Sequence, residues 1–527
     1  MKLTDIRTNS LDPRQWEGYQ LPKFDLNAVR AKTAQEPTWL HFGAGNIFRA
    51  FPAAVLQQAL DSGSYDRGVI VAEGFDYEII DKAYRPYDNL SLLVVLKSDG
   101  TIEKRVVASV TESLKADPQF GTDWARLEEI FRAPSLQMVS FTITEKGYVV
   151  SPADLQRGRE PMLMMGKLTN LLYQRWLAGG MPLTVQSMDN CSHNGDKVLE
   201  GVLRYARAWA DQGLVERAFL DYLTDREKVS FPWSMIDKIT PRPDAKVQAM
   251  LSADGFEDND TILTSRGTYT APFVNAEETE YLVIERDFPN GCPPLELGGV
   301  MFTDRETVDN VERMKVCTCL NPLHTALAIY GCLLGHTLIS EEMKDEDLSG
   351  LVHKMGYLEA MPVVVDPGVL KPADFIGAVL TKRLPNPFMP DAPQRIATDT
   401  SQKLPIRFGE TIKAYVRQGL DLDELVLIPL VLAGYARYLK GLDDSLQPFT
   451  PSADPMLEEL QGIVAGLKVS GEPQDFSCLK ELYSRADVFA VDLYEAGLGA
   501  RIEEMAAELF AGAGAVRRTL HKYVSNR

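Results

Sequence analysis

Two segments of this 527-residue chain hold residue types that could do chemistry on a carbonyl or an alcohol. One is Asp189-Asn190-Cys191-Ser192-His193-Asn194-Gly195; the other is Lys315 followed by Asn321, Pro322, Leu323 and His324. The carboxamides of Asn190 and Asn321 can donate hydrogen bonds to an oxygen as charge grows on it. A lysine exchanges a proton with that oxygen where burial and neighbouring cations favour its neutral form, which makes Lys315 the candidate general acid/base. Near the start, Gly43-Ala44-Gly45-Asn46-Ile47-Phe48-Arg49 is a glycine-rich turn. Together these residues point to hydride passing between a nicotinamide and a secondary alcohol.

The glycine turn would bind the dinucleotide. Gly43 and Gly45 allow a sharp turn after a strand and a close approach of backbone amides to a pyrophosphate, with the following helix presenting its positive end. Phe48 stands where the usual fingerprint has a third glycine, and Arg49 follows it. A carboxylate at the end of the second strand would accept from the ribose 2′-hydroxyl of NAD. Glu73 is there, 30 residues past Gly43 (73 − 43) rather than the usual spacing of about 20, and the polar segment 61–67 supplies the extra length as a loop. Glu73 or Asp76 would repel a 2′-phosphate, so NAD is expected rather than NADP. Thr144, Glu145, Asp189 and Asn190 also fall at strand ends, where ligands of such sheets gather.

These residues must be positioned by alternating strands and helices. Apolar runs predict strands at 38–42, 68–72, 92–96, 102–107, 137–143 and 183–188, with a helix at 53–60. The pattern predicts an α/β, Rossmann-like N-terminal domain with a mostly parallel sheet, spanning 1–304. Beyond 305 the periodicity turns helical, at 325–338, 408–418, 422–439, 455–467 and 498–509, with proline-rich loops such as 383–390 between. Residues 305–527 are therefore expected to form a mainly α-helical substrate-binding domain. Pro322 suits a first helical position, which would make Asn321 an N-cap.

Composition excludes several other functions. A net charge of −19 and a pI of about 4.9 oppose binding to nucleic acid or anionic lipid. Such a surface would also repel an anionic substrate unless the site concentrates positive charge. No apolar run approaches the roughly 18 residues of a membrane span, and the start lacks a signal-peptide core, so a cytoplasmic protein is expected. The six cysteines fit neither a zinc site nor a disulfide framework, and buried free thiols and no metal are expected.

Several motifs in order carry a wider resemblance. They are Gly43-x-Gly45 with Arg49, Ser109-Val110-Thr111-Glu112-Ser113-Leu114, Thr142-Ile143-Thr144-Glu145-Lys146-Gly147-Tyr148, and Asp189-Asn190 with His193-Asn194-Gly195. Phe231-Pro232, Met235-Ile236-Asp237-Lys238-Ile239-Thr240-Pro241, Asp287-Phe288-Pro289-Asn290-Gly291, Met314-Lys315 with Asn321 and His324, and Ser401-Gln402-Lys403-Leu404-Pro405 complete the series. The chain resembles the mannitol dehydrogenase family of polyol-specific long-chain dehydrogenases, which includes fructuronate and tagaturonate reductases.

The resemblance implies a zinc-independent, NAD-dependent dehydrogenase acting on a sugar acid or polyol. It implies Lys315 as general acid/base, Asn190 and Asn321 as the oxyanion site, and His324 orienting the substrate. Asp237, Arg395 and Lys403 would line the pocket. The family usually places its lysine five residues before the asparagine, whereas Lys315 precedes Asn321 by six (321 − 315). In a straight helix one extra residue turns a side chain by about 100°, and a kink at Asn321 before Pro322 is expected to absorb it. Fructuronate reduction to mannonate is the expected reaction. Tagaturonate reduction, mannitol or arabinitol oxidation, and a catalytically inactive NAD(H) sensor are the alternatives. A monomer or weak homo-oligomer is expected.

Overall fold

Six short strands of the N-terminal half pair into one sheet in the computed structural model, which describes residues 1–7, 11–12 and 14–527. They are β1 (Trp39–Phe42), β2 (Val69–Glu73), β3 (Val110–Lys115), β4 (Met138–Phe141), β5 (Leu183–Ser187) and β6 (Val229–Ser230). Their spatial order is β3-β2-β1-β4-β5-β6, with every neighbouring pair parallel. This is the strand order of a doubly wound dinucleotide-binding sheet, and its carboxyl ends at β1, β2, β4 and β5 carry the polar motifs. Residues alternate across the sheet, so each face has its own core. Leu40, Phe42, Ile70, Val139 and Val185 pack with the helices Gly121–Arg132 and Met164–Leu177 on one face. On the other face Trp39, Val69, Val71 and Met138 pack with the helices that follow the glycine turn.

Those helices are α1 (Asn46–Ala50) and α2 (Pro52–Asp61). The helix expected at 53–60 is thus preceded by a separate short one. Pro52 has no N–H to continue the first ladder, and Phe51 leaves helical geometry at φ −130°.

Two strand expectations need correction as to place. Ser91–Leu96 and Ile102–Val107 do form strands, but as an antiparallel hairpin in a separate four-stranded sheet with Tyr19–Gln20 and Phe273–Glu277. The edge of the main sheet beside β2 belongs instead to β3, whose alternating Val110-Thr111-Glu112-Ser113-Leu114 lacks a continuous apolar run. After β5 the chain enters α3 (Asn194–Asp211).

By contact density the chain divides into Met1–Lys97 with Thr101–Asp309, and Ser98–Gly100 with Asn310–Arg527. The second unit is built from helices. A long helical run starts with α4 (Arg305–Met314), passes through a π-helical turn at Lys315–Cys319 and continues as α5 (Asn321–Leu334). Further on, α6 (Thr400–Leu404), a π-turn at Pro405–Gly409 and α7 (Glu410–Gln418) form a second interrupted run, and α8 (Leu427–Leu439) is buried all round.

By length and composition alone, Arg305–Leu334 is long and apolar enough to cross a bilayer, contrary to the sequence expectation. Of its most apolar window, 78% is buried inside the protein, which marks it as a core helix. All six thiols are free, but only Cys319 and Cys332 are buried; the other four are partly exposed, unlike the buried set expected.

Candidate active site

The glycine turn is shaped by two different constraints. Gly43 sits at φ +106°, and a Cβ there would lie 2.3 Å from the carbonyl oxygen of Thr142. Only glycine lets β1 pass the end of β4 so closely. Gly45 has an ordinary φ of −76°, and a Cβ there would meet no protein atom within 4 Å. Its outer side is open space, bordered by the first-turn amides of α1, which have no partner within their own helix.

Glu73 holds this turn in place. One carboxylate oxygen accepts from the Ala44 N–H (2.8 Å) and the other from Phe75 (2.8 Å) and Asp76 (3.1 Å). Burial pushes its pKa up while the three N–H groups pull against it. One lone pair on the Ala44-bound oxygen is left for a further donor. Asp76 faces elsewhere: it is 2% exposed and accepts from the Thr264 hydroxyl at 2.6 Å.

Arg49 is likewise turned inward and 1% exposed. It donates to the Ala271 carbonyl (2.6 Å), the Thr270 hydroxyl (2.9 Å) and Asn46 Oδ1 (2.8 Å). Phe48, in place of the third glycine, stacks on the buried His41 ring at 4.2 Å. Arg49 and Phe48 therefore anchor the turn through their side chains, and only backbone amides remain to face a ligand. Ile47 and Asn46 are half-buried at the open side.

At the end of β5, Asp189 clamps two strand ends together. Its carboxylate accepts from the N–H groups of Ile143 (3.1 Å) and Thr144 (2.8 Å) and from the Tyr148 hydroxyl. Burial raises its pKa, and the three donors oppose that. Thr144 is held at φ +62° by this clamp, while Glu145 is exposed and paired with Lys197 at 2.9 Å.

Asn194 is fully buried. It donates to the Asp189 and Ser234 carbonyls and the Ser234 hydroxyl, each at 3.0 Å, and accepts from the Ser234 N–H. His193, at φ +50°, stacks on Trp233 at 3.9 Å and meets Asp309 at 3.0 Å. These residues fix the loop that presents Asn190, which is exposed. Asp237 ends the strand Ser234–Asp237 and is buried.

The second unit carries Lys315, Asn321 and His324. The residue added between Lys315 and Asn321 is taken up by the π-turn, in which the Leu320 N–H reaches back five residues to the Lys315 carbonyl at 3.1 Å. The break expected at Asn321 falls one residue earlier, at Leu320, which leaves helical geometry at φ −129° after the wide turn. Asn321 is the first residue of α5, not its N-cap; Leu320 holds the cap position, and Pro322 is tolerated in the first turn. Lys315 is 5% exposed.

His324 follows Asn321 by one turn. Burial pushes its pKa down to about 4, with Asp391 opposing and Arg383, Arg407 and Arg395 adding to the fall. The ring is therefore neutral at neutral pH. Its Nε2 is buried without a hydrogen-bond partner, and the nearest carboxylate oxygen, of Asp391, is 3.7 Å away.

A cluster of cations surrounds this ring. Arg395 is 63% exposed and paired with Asp391. The Lys403 ammonium donates to the carbonyls of Ile396 (3.1 Å) and Thr398, and its pKa is lowered by burial, then by Arg407. Arg383 ends a third π-turn, Val379–Arg383, and is buried. Arg407 lies in the π-turn Pro405–Gly409 and donates to the Thr325 hydroxyl at 2.5 Å. Arg383, Arg407 and Asp391 were not singled out from the sequence. Arg407 follows Lys403 by one helical turn (407 − 403), a spacing that could have exposed it.

Residues 37–297 match the mannitol dehydrogenase Rossmann domain, and residues 307–507 match the mannitol dehydrogenase C-terminal domain. The chain belongs to the mannitol dehydrogenase family. Among the family's members, D-mannonate oxidoreductase of Thermotoga maritima is 51% identical over 529 aligned residues, covering 97% of each chain. The polyol:NADP oxidoreductase of Gluconobacter oxydans is 29% identical over 84% of this chain and 87% of its own. A solved structure of Pseudomonas fluorescens mannitol 2-dehydrogenase, in ternary complex with NAD and D-mannitol, superposes with a TM-score of 0.69, with 25% identity and both chains fully covered. The mannitol dehydrogenase architecture expected from the motifs, an N-terminal Rossmann domain and a helical C-terminal domain, is borne out. Among the described residues, no group of three His, Cys, Asp or Glu side chains is placed to hold a metal ion.

Proposed function

We propose that this chain is an NAD-dependent oxidoreductase of the cytoplasm that interconverts D-fructuronate and D-mannonate. The observation that carries the reading is the 51% identity, end to end, with a D-mannonate oxidoreductase. The cations about His324 support an acid substrate over a neutral polyol, because the rest of the molecule is strongly acidic.

The residues of the first unit suit a dinucleotide. Open space beside Gly45 and the amides of Asn46, Ile47 and Phe48 would receive the pyrophosphate. The free lone pair of Glu73 would accept from the ribose diol, and its charge would repel a 2′-phosphate. Asp76, Arg49, Asp189 and the Thr144–Glu145 segment would act by holding that surface in shape. When bound, NADH supplies hydride to the substrate's ketone.

The protein's own part is to bind the sugar and move a proton. Lys315 donates a proton to the ketone oxygen during reduction and takes it back during oxidation. Asn321 and Asn190 donate amide N–H groups to that oxygen as its charge grows. The unpartnered Nε2 of the neutral His324 exchanges a hydrogen bond with a substrate hydroxyl. Asp237, Arg395 and Lys403 are proposed to line the sugar's path. The π-turn that takes up the extra residue before Asn321 supports an active enzyme over an inactive sensor.

A spectrophotometric screen of NADH oxidation with D-fructuronate, D-tagaturonate and D-fructose tests the reading. D-fructuronate should give the highest kcat/KM. Preference for tagaturonate or fructose would replace the proposed substrate, and no turnover with any of the three would favour the sensor.

A further inference from the structure

We propose that Arg407 binds the carboxylate of the substrate and so selects an acid over a neutral sugar; this rests on the reading of the substrate as a hexuronate. Two of the other cations near His324 are engaged by the protein. Arg395 is exposed and paired with Asp391, and Lys403 is held by two carbonyls. Arg407 differs from both. Its hydrogen-bond partner is one neutral hydroxyl, Thr325 Oγ1 at 2.5 Å, and among the described residues no carboxylate forms an ion pair with it. Burial has pushed its pKa down to about 10 with no acid to oppose the fall. A guanidinium has five N–H donors, and a largely buried one without an anion is costly unless an anion arrives to complete it.

The local geometry places it at the reactive end of α5. Thr325 is adjacent to His324 in sequence, and its hydroxyl donates to the Asn321 carbonyl at 3.0 Å. Arg407 thus touches the same helical turn that carries Asn321 and His324. Its π-turn packs against the π-turn that begins with Lys315, and Thr411, just beyond, donates to the Cys317 carbonyl at 3.4 Å. Pro405 has no N–H for the ordinary helical ladder, and the wide turn that results projects Arg407 towards α5. A planar guanidinium binds a carboxylate with two parallel N–H···O bonds, a geometry an ammonium lacks. A ketose with a carboxylate at the far end of its chain could place its ketone by Lys315 and its charge by Arg407.

The test is steady-state kinetics of NADH-dependent D-fructuronate reduction in R407Q and R407K. We expect R407Q to raise KM by roughly 100-fold with kcat within about threefold, and R407K to raise it by about tenfold, since charge is kept but the fork is lost. An unchanged KM in R407Q overturns the assignment. So does an equal loss of kcat in both variants, which would mark a structural role. If R407Q does not fold, R407K decides on the same terms: a KM rise with kcat retained supports the assignment, and unaltered kinetics overturn it. Wild-type enzyme that turns over D-fructose but not D-fructuronate would instead overturn the reading of the substrate.

Discussion

The two glycines of the turn should respond to alanine in opposite ways. At Gly43 the backbone has φ +106°, and the new methyl would fall 2.3 Å from the Thr142 carbonyl oxygen. That carbonyl cannot easily retreat, because the Thr142 N–H is bound to Phe42 (3.0 Å) and its hydroxyl to His41 Nε2 (2.8 Å). Left-handed strain costs about 1–3 kcal/mol, and the forced contact adds about 1–3 kcal/mol. Gly43→Ala should therefore lose about 2–6 kcal/mol, a drop in Tm of the order of 5–15 °C. At Gly45 the dihedrals are ordinary and the space is open, so Gly45→Ala should move Tm by less than about 2 °C. Its methyl occupies the volume assigned to the pyrophosphate, and NADH affinity should fall at least tenfold, about 1.4 kcal/mol. Thermal melts and NADH fluorescence titration of both variants measure this. A Gly45→Ala protein that binds NADH like wild type would refute the placement of the cofactor.

Two further outcomes follow from buried carboxyls. In Glu73→Gln one of the three N–H groups faces an amide instead of a carboxylate, so NADH binding should weaken about tenfold to 100-fold. Without the negative charge, discrimination against NADPH should shrink in paired titrations; an unaltered ratio would mean Glu73 does not face the ribose. Glu342 packs against the bare backbone of Gly331, both its oxygens lack partners, and burial, with Asp345, pushes its pKa from 4.5 up to about 9. The folded state holds this proton where the unfolded state has released it. Its stabilising effect is therefore present below about pH 4.5 and is lost as pH rises towards 9. Denaturant melts should show wild type losing a few kcal/mol across that range and Glu342→Gln losing much less; parallel curves would rule this out.

The sequence disclosed the nucleotide fold because its signals are local: apolar runs, Gly43 and Gly45, and acids at strand ends. It located the strands at 92–96 and 102–107 but not their sheet, since an apolar run such as Leu92-Leu93-Val94-Val95-Leu96 does not say which sheet it joins. The roles of Arg49, Asp76 and Asp189 were illegible because a charged side chain next to a turn can face a ligand or brace the loop. The choice depends on partners as distant as Ala271 and Thr264. The six-residue spacing from Lys315 to Asn321 looked like a fault. A π-turn is invisible to a periodicity argument that assumes 3.6 residues per turn, and here it takes up the sixth residue with the break at Leu320 rather than Asn321.

The most direct test of the account is the turnover of Lys315→Ala with D-fructuronate and NADH. Its kcat should be lower by between about 100-fold and 10,000-fold, with NADH binding retained because the residues proposed to hold it lie in the other unit. A folded variant that turns over within a few-fold of wild type would contradict it.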